Sequence, residues 1–204
     1  MRTIIFATGN QNKMREIREI MGNLPVQILS MKEAGIQADI VENGTTFEEN
    51  ARIKARAVAD LLPEQERDAI VLADDSGLEI DALHKEPGIY SSRYMGEHTS
   101  YHVKNAELIR RLEGVPVEKR TARFVCAVAA VLPDGQALTV RGTIEGKIGY
   151  EERGENGFGY DPIFMLPDMS RSTAELPPEE KNKISHRGKA LRQMEKKLQE
   201  ILET

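Results

Sequence analysis

The sequence predicts a mixed α/β fold in which a single sheet is flanked by helices. In the first half of the chain, short apolar runs alternate with segments of helical period, which is typical of α/β proteins. In the second half, two longer apolar runs flank Pro133-Asp134-Gly135, which is a hairpin signal. The chain has 204 residues and no obvious linker. We therefore expect residues 1–204 to form one domain, or two closely joined lobes.

The first three elements are short. Residues 3–7 are apolar and stop at Thr8-Gly9-Asn10, so they predict a buried strand. Residues 14–21 carry apolar side chains at helical spacing and predict a helix. Residues 26–29 predict a second strand.

Residues 45–62 carry the clearest helical pattern in the first half of the chain. The apolar side chains that form its single face are Phe47, Ala51, Ala55, Val58 and Leu62. Thr46 followed by Glu49 fits a capping box, and Pro63 ends the pattern. The spacing therefore predicts a helix over 45–62.

The next predicted strand covers residues 69–73. We expect it to end at Asp74-Asp75-Ser76-Gly77, because Asp, Ser and Gly are turn formers. Ser100 is the expected N-cap of the helix that follows. The remaining predicted elements are a helix over 101–112, strands over 122–132, 137–144 and 163–166, and a helix over 185–202.

Charge and cysteine content exclude several classes of protein. The net charge is −5 and the pI is about 5.5, which argues against a protein that holds duplex nucleic acid through its phosphates. Cys126 is the only cysteine, so an intramolecular disulfide and a cysteine zinc site are excluded. Apolar runs fall far short of the ~20 residues of a membrane span, and the start shows no signal-peptide core. We expect a cytoplasmic protein with no membrane partner.

Two predicted helix starts carry cations, which are unfavourable against the helix dipole unless an anion is nearby. Lys13 follows the first strand and its glycine turn, an arrangement that often binds phosphate. His186 and Arg187 follow Ser185, with Lys181 just upstream. The functional hypothesis is a pair of anion sites. The alternative is two ordinary turns with solvated charges.

The acidic turn after the third strand is a candidate metal site. Carboxylates at the carboxyl end of a strand suit Mg²⁺, which takes one or two of them together with phosphate oxygens and water. Asp75 and, in an upstream loop, Glu42 are the candidate ligands. Lys54 shares a helix face with Asn50 and would reach a phosphate. The alternatives are a plain turn and a solvated loop acid.

A glycine-rich segment with two aromatic residues lies at 154–162. Glycines let the backbone approach a ligand closely, and Phe158 or Tyr160 offers a stacking face for a base. The alternative is an ordinary glycine loop.

Six segments, taken together and in order, resemble the inosine triphosphate pyrophosphatase family, also called XTP/dITP diphosphatases. The segments are TGNQNK, TFEENARIKA, LADDSGLEIDAL, PGIYSSRY, GFGYDPIF and EEKNKISHRGKAL. They span nearly the whole chain. The resemblance implies an elongated mixed β-sheet with flanking helices, two lobes around a central cleft, and a homodimer.

The resemblance also implies an activity, namely Mg²⁺-dependent hydrolysis of the non-standard purine nucleoside triphosphates ITP, dITP and XTP to the monophosphate and pyrophosphate. It makes Asp75 the proton acceptor and, with Glu42, a metal ligand. The substrate-binding residues that it implies are Thr8, Gly9, Asn10, Gln11, Asn12, Lys13, Lys54, Ser76, Phe158, Gly159, Tyr160, Asp161, Lys181, His186 and Arg187. It implies no role for PGIYSSRY.

Two other classes of function stay open at this point. One is a non-catalytic nucleotide-binding module, which would need the phosphate cations and the base loop but no metal carboxylates. The other is a general phosphatase that releases orthophosphate. The presence of Glu42 and Asp75 favours the enzyme. In each case the expected partner is a small-molecule nucleotide and not a nucleic acid.

Overall fold

The computed structural model describes residues 2–202 and contains a six-stranded sheet with flanking helices. The strands are β1 Arg2–Phe6, β2 Val26–Ser30, β3 Ile70–Ile80, β4 Thr121–Val131, β5 Ala137–Ile148 and β6 Phe164–Met165. The helices are α1 Gln11–Met21, α2 Phe47–Ala59, α3 Tyr101–Arg111, α4 Pro178–Ile184 and α5 His186–Leu202.

The sheet order is β2-β1-β3-β4-β5-β6. Strand β1 pairs in parallel with β2 and β3, with Ile4 opposite Ile28 and Ile70, whereas β5 and β6 are antiparallel. The predicted mixed α/β fold is therefore confirmed. The predicted hairpin is also confirmed, because β4 and β5 are neighbours joined by a turn in which the Leu132 N–H donates to the Gln136 carbonyl at 2.9 Å.

The chain folds into two compact units. The first comprises the described residues up to Asp75, together with Cys126–Gly142 and the residues from Arg187 onward. The second comprises Ser76–Val125 and Thr143–His186. Each unit has its own hydrophobic core.

The core of the first unit forms where α1 and α5 pack against strands. Helix α5 buries the face predicted from its spacing, with Leu191, Met194 and Leu198 fully buried. These side chains join a cluster with Ile70 and Leu72 of β3. The other buried members of that cluster are Ile4, Phe6, Met14, Ile17, Met21, Leu24, Cys126, Val128, Ala130, Leu132, Val140 and Ala190.

The core of the second unit is built around α3 and the distal parts of the long strands. Leu108 of α3 packs in one cluster with Leu78, Phe124 and Phe164. Arg120 is buried beside this core, and its guanidinium donates to three backbone carbonyl oxygens. These oxygens belong to Leu112, Ile148 and Gly149, at 2.8, 2.8 and 2.6 Å.

Two helix starts follow the sequence closely. The Thr46 hydroxyl accepts from the Glu49 N–H at 3.1 Å, and the Glu49 carboxylate accepts from the Thr45 N–H at 2.7 Å. Helix α3 begins after Ser100, whose hydroxyl accepts from the Val103 N–H. Within residues 2–202, none of the helices has the length and apolar character that a membrane span requires.

Two local expectations were wrong, and one helix was missed. Strand β3 does not end at Asp74 but continues to Ile80, because both aspartates are buried with hydrogen-bonded partners and need no turn. Helix α4 was not predicted, since its seven residues are too few to show a helical period. The strand expected over 163–166 has only two residues, Phe164 and Met165.

Candidate active site

The turn between β1 and α1 is held by its own side chains. The Thr8 hydroxyl accepts from the Asn10 N–H at 3.1 Å. Asn10 is the N-cap of α1, and its Oδ1 accepts from the N–H groups of Asn12 and Lys13 at 2.9 and 3.2 Å. The start of α1, which the sequence offers as a phosphate site, is thus partly capped by Asn10. Residues 9–12 nevertheless lie at the surface, where a ligand would reach them.

Lys13 is not a free surface lysine. Its Nζ lies 3.0 Å from both carboxylate oxygens of Asp74. The Lys13 side chain is 19% exposed and that of Asp74 is 1% exposed. A buried carboxylate therefore holds the ammonium group at the start of α1, and the alternative of a solvated lysine does not apply.

Asp74 has a second cationic partner in Arg187. The Arg187 Nε lies 3.5 Å from Asp74 Oδ2, and its Nη1 donates to the Glu16 carboxylate. Burial alone would raise the pKa of Asp74, but the charges of Lys13 and Arg187 outweigh it and hold that pKa well below its ordinary value. Burial would likewise lower the pKa of Arg187, and the two carboxylates raise it instead. Asp74 and Arg187 are therefore both ionised at neutral pH.

Asp75 contacts a different set of residues. Asn50 Nδ2 donates to Asp75 Oδ2 at 3.2 Å, and Lys54 Nζ lies 3.7 Å from Asp75 Oδ1. The same Lys54 Nζ lies 3.3 Å from Glu42 Oε2. The face shared by Asn50 and Lys54 on α2, expected from their spacing, therefore points at the two candidate metal ligands.

The pKa shifts around Asp75 follow from burial and charge. Burial raises the pKa of Asp75, and this effect together with the nearby charge of Glu42 outweighs the opposing charge of Lys54. Burial would lower the pKa of Lys54, but the carboxylates of Asp74, Asp75 and Glu42 raise it. The arrangement combines a carboxyl group with a raised pKa and a firmly charged ammonium group, which is a common combination at catalytic sites.

Asn50 was not among the residues that the sequence singled out for the site. Besides its bond to Asp75, its Oδ1 accepts from the Gly44 N–H at 2.9 Å. A Cβ on Gly44 would come within 2.7 Å of that oxygen, so the close approach needs glycine. Asn50 thereby links the loop that carries Glu42 to Asp75. Its signal in the sequence was the four-residue spacing to Lys54.

Glu42 and Asp75 have the chemistry of Mg²⁺ ligands. Both offer carboxylate oxygens, and both lie against the same lysine. No grouping of three or more His, Cys, Asp or Glu side chains suited to a metal occurs between residues 2 and 202. Two carboxylates completed by phosphate oxygens and water are a usual set for Mg²⁺, so these residues fit the ion.

In the second unit, Asp161 organises the glycine-rich loop. One of its oxygens, Oδ2, accepts from the Phe158 N–H at 2.9 Å and from Lys181 Nζ at 2.6 Å. The other, Oδ1, accepts from the Thr173 hydroxyl at 2.7 Å. Asp161 and Lys181 are both buried. The Lys181 ammonium also lies 5.2 Å from the centre of the Phe158 ring. Lys181 therefore contacts both this ring and the Asp161 carboxylate that accepts from the Phe158 N–H.

Two glycines are required for this loop. Gly157 and Gly159 have φ of +71° and +69°, which side-chain-bearing residues rarely adopt. A Cβ on Gly157 would also collide with the Asp161 carboxylate. Phe158 between them is only partly buried, whereas Tyr160 is buried. Of the two stacking faces offered by the sequence, the accessible one is that of Phe158.

Tyr160 ties the loop to the PGIYSSRY segment, for which the sequence suggested no role. Its hydroxyl donates to the Ser91 carbonyl at 2.5 Å, and its ring meets that of Tyr101 edge-on, with centroids 5.1 Å apart. Lys104 Nζ donates to the Ser92 carbonyl at 2.7 Å. The segment is therefore tied to the glycine-rich loop through the Tyr160–Ser91 hydrogen bond.

The remaining predicted site residues of the second unit are His186 and Ser76. His186 is buried and stacks on Phe124, with centroids 4.8 Å apart and planes 20° apart. Ser76 is partly buried within β3.

The sequence pattern of one known family, described as the Ham1 family, matches residues 4–197. This chain belongs to the Ham1 family.

Several curated proteins named dITP/XTP pyrophosphatase resemble this Ham1 chain over its whole length. That of Exiguobacterium sibiricum is 45% identical over 199 residues, which cover 98% of each chain. That of Caldanaerobacter subterraneus is 46% identical over 203 residues, which cover 100% of this chain and 99% of the relative. That of Bacillus subtilis is 45% identical over 199 residues, which cover 98% of each chain.

Solved structures of Ham1 proteins share the fold. The HAM1 protein of Coxiella burnetii gives a TM-score of 0.85 at 41% identity, covering 98% of this chain and 100% of the other. The Ham1 protein of Staphylococcus aureus gives a TM-score of 0.84 at 38% identity, covering 97% and 98%.

Proposed function

We propose that this protein hydrolyses the non-standard purine nucleoside triphosphates ITP, dITP and XTP to the nucleoside monophosphate and pyrophosphate. The names of the close relatives support this substrate class. The observation that carries the proposal is that Asp75 and Glu42 lie against one lysine, Lys54. A module that only bound nucleotides would need the lysine, but it would gain nothing from two carboxylates facing a polyanion.

The triphosphate would bind to residues of the first unit. Lys13 and Lys54 supply the positive charge, and both are already held by carboxylates. Buried Thr8 and the exposed residues that follow it, Gly9, Asn10, Gln11 and Asn12, supply polar contacts at the start of α1. Because phosphoryl transfer depends mainly on positioning and charge stabilisation, a preformed set of cations is the principal requirement.

Asp75 would accept a proton from the attacking water. The water oxygen forms a bond to the α-phosphorus, the bond from that phosphorus to the oxygen bridging to the β-phosphorus breaks, and pyrophosphate leaves. Burial raises the pKa of Asp75, which makes the carboxylate a stronger base than one in water. Asn50 donates to Oδ2 of Asp75 and orients the group.

Glu42 and Asp75 would hold Mg²⁺. When bound, the ion neutralises charge on the phosphate oxygens and on the leaving pyrophosphate. Lys54 lies near both carboxylates and would keep them together before the ion binds.

The purine base would be recognised by Ser76 and by residues of the second half of the chain, with Phe158 as the stacking face. Hypoxanthine and xanthine carry a 6-oxo acceptor, so their recognition needs a donor, and adenine would leave that donor facing an amino group. The candidate contacts are Ser76, Phe158, Gly159, Tyr160, Asp161, Lys181, His186 and Arg187. A buried donor left unpaired costs about 1–3 kcal/mol, which is the physical basis for rejecting ATP.

The products formed from ITP test the proposal. The protein is incubated with ITP and MgCl₂, and pyrophosphate, orthophosphate and IMP are assayed. Pyrophosphate with IMP supports the proposal, orthophosphate would indicate a general phosphatase, and no turnover would indicate a binding module. In H₂¹⁸O the label should appear in IMP, because the water attacks the α-phosphorus. Label in pyrophosphate would overturn that part of the mechanism.

We also propose a cytoplasmic homodimer, since the substrate belongs to the nucleotide pool. The second unit carries exposed apolar side chains that a partner copy would cover, among them Tyr90, Met95 and Val103. Sedimentation equilibrium tests the assembly, and a monomer at micromolar concentration would contradict it.

A further inference from the structure

Helix α3 contacts the glycine-rich loop through two side chains that are one turn apart. Tyr101 and Asn105 share a face of this helix, because residues four apart lie above one another. The Tyr101 ring lies against Gly159, where a Cβ would meet its Cε1 at 3.6 Å, and it meets Tyr160 edge-on. Asn105 is fully buried, and its Nδ2 donates to the Gly159 carbonyl at 3.4 Å. This face of α3 therefore contacts the loop at the residue that follows Phe158.

Asn105 also contacts the opposite arm of the same loop. Its Nδ2 donates to Glu152 Oε1 at 2.7 Å. Glu152 lies a few residues after β5, and its second oxygen lies 2.6 Å from Nδ1 of His102, which is exposed. The Asn105 Oδ1 is buried and has no hydrogen-bond partner within residues 2–202, so the hydrogen bonds of this side chain are those that Nδ2 donates. The amide must keep its NH₂ group toward the loop, because a carboxylate and a carbonyl both accept from it there.

Phe158 lies between two glycines, which makes the anchoring of its backbone important. Gly157 and Gly159 have no side chain, and glycine permits more backbone conformations than other residues. Asp161 holds one side of Phe158 by accepting from its N–H at 2.9 Å. Asn105 holds the other side through the Gly159 carbonyl. A ring that is already fixed loses less conformational freedom when a base stacks on it, so both anchors favour binding.

We propose that Asn105 is a positioning residue that holds Phe158 in the orientation in which it stacks on the purine base, and that Glu152 holds the Asn105 amide. The proposal rests on the proposed function, because it takes from it the role of Phe158. It deepens that function by assigning part of the affinity for the base to a residue of α3 that is too deeply buried to touch the substrate itself.

Variants of Asn105 and Glu152 test the proposal, and each has a matched control. Asn105→Leu keeps the branched shape of the side chain and removes the donor, and Asn23→Leu makes the same change at an exposed position of the first unit. Glu152→Ala removes the acceptor that holds the amide, whereas Glu152→Gln keeps an oxygen that accepts from Asn105. The Glu152 side chain is 30% exposed, so its variants should fold even if Asn105→Leu does not.

Two constants separate the base from the phosphates. The KM for ITP depends on both, whereas the inhibition constant of inorganic tripolyphosphate depends on the phosphate site alone. We expect Asn105→Leu to raise the KM for ITP by about fivefold or more, which is the lower end of what stacking on one base contributes. The inhibition constant should stay unchanged. Glu152→Ala should raise the KM by a smaller factor, and Glu152→Gln and Asn23→Leu should match the parent.

A double-mutant cycle with Phe158→Ala tests whether Asn105 acts through the Phe158 ring. If it does, Asn105→Leu should raise the KM for ITP in the parent and have almost no further effect once the ring has been removed. A merely structural role would lower the folded fraction and the apparent kcat, leave the KM unchanged, and give the same factors in both backgrounds.

Three results would overturn the proposal. They are an unchanged KM for Asn105→Leu, an equal rise in KM with and without the Phe158 ring, and a raised inhibition constant of tripolyphosphate, which would mean that the phosphate site is disturbed as well. If Asn105→Leu does not fold, the same cycle is run with Glu152→Ala, and the same results decide. A parent protein that releases no pyrophosphate from ITP would instead refute the proposed function.

Discussion

Asp74 and Asp75 are neighbours in β3, yet their carboxylates form hydrogen bonds with different residues. Asp74 pairs with Lys13 and Arg187, whereas Asp75 contacts Asn50 and Lys54. Successive side chains of a strand point to opposite faces of the sheet, so adjacent positions meet different helices. Asp74 is thereby buried between two cations. Asp75 has a raised pKa, in part because of the nearby charge of Glu42, the other candidate metal ligand.

Asp75→Asn keeps the shape of the side chain and removes its charge. We expect kcat/KM for ITP to fall by at least ~10²-fold, since loss of a general base alone costs typically ~10²–10⁴ in rate. The thermal midpoint should stay close to that of the parent. Asp68→Asn makes the same change at an exposed position just before β3 and should leave kcat/KM unaltered. Activity of Asp75→Asn within about tenfold of the parent would show that Asp75 is not the proton acceptor.

Asn50→Leu removes the donor to Asp75 and the acceptor of the Gly44 N–H while roughly keeping the volume. A hydrogen bond to a charged group is worth about 1.5–3 kcal/mol, so kcat/KM for ITP should fall by ~10-fold or more. A higher Mg²⁺ concentration should also be needed for half-maximal rate, because the loop of Glu42 is no longer held. Arg52→Leu, exposed on the same helix, is the control. Equal kinetics for both variants would remove Asn50 from the site.

Tyr160→Phe deletes the hydroxyl that bonds the Ser91 carbonyl and keeps the ring against Tyr101. A buried carbonyl left without its donor costs about 1–3 kcal/mol, so the free energy of unfolding in urea should fall by that amount. The KM for ITP should rise, because the glycine loop loses its tie to the PGIYSSRY segment. Tyr150→Phe, at a site that is 59% exposed, should change neither quantity. An unchanged unfolding free energy for Tyr160→Phe would mean that the bond does not support the loop.

Asp81 should contribute stability that depends on pH. Hydrogen bonds from Lys85 and Thr121, with the charge of Arg123, lower its pKa from 3.8 to about 2. A lowered folded-state pKa gives stability that is present above the unfolded pKa and is lost as the pH falls from about 4 to about 2. Because the group is partly exposed, we expect Asp81→Asn to be less stable than the parent by only ~0.5–1 kcal/mol at pH 7. Urea unfolding of the two proteins from pH 7 to pH 2 should show this difference shrinking below pH 4, and a difference constant over the whole range would contradict the assignment.

Most of the fold was accessible from the sequence, because apolar spacing decides which elements form. The buried faces of α2 and α5 and the hairpin after β4 follow directly from it. The continuation of β3 through Asp74 and Asp75 was not accessible. Two aspartates fit inside this buried strand because their carboxylates accept hydrogen bonds from Lys13 and Asn50. Both partners lie far away in the sequence, so the local pattern does not reveal them.

The candidate site was predicted residue by residue, but its internal pairing was not. Lys13 and Lys54 were selected from the sequence as candidate phosphate contacts, and in the structure both are paired with carboxylates. That Asp74 holds Lys13, or that Asp161 holds Lys181, depends on contacts between residues far apart in sequence. Glu16, a polar residue inside a helix, gave no local signal that would separate it from a surface residue, and Asn50 gave only its four-residue spacing to Lys54.

The central claim is selective hydrolysis of non-standard purine triphosphates, and the most direct test is kcat/KM for pyrophosphate release from ITP, XTP, GTP and ATP under the same conditions. Adenine mismatches a donor that faces O6, and guanine carries a 2-amino group that hypoxanthine lacks. Sites that recognise a substrate through hydrogen bonds can discriminate against such analogues by ~10⁴-fold or more in kcat/KM. We predict values for ITP or XTP at least ~100-fold above those for both ATP and GTP. Equal values for ITP and ATP would contradict the account and leave a general nucleotide pyrophosphatase.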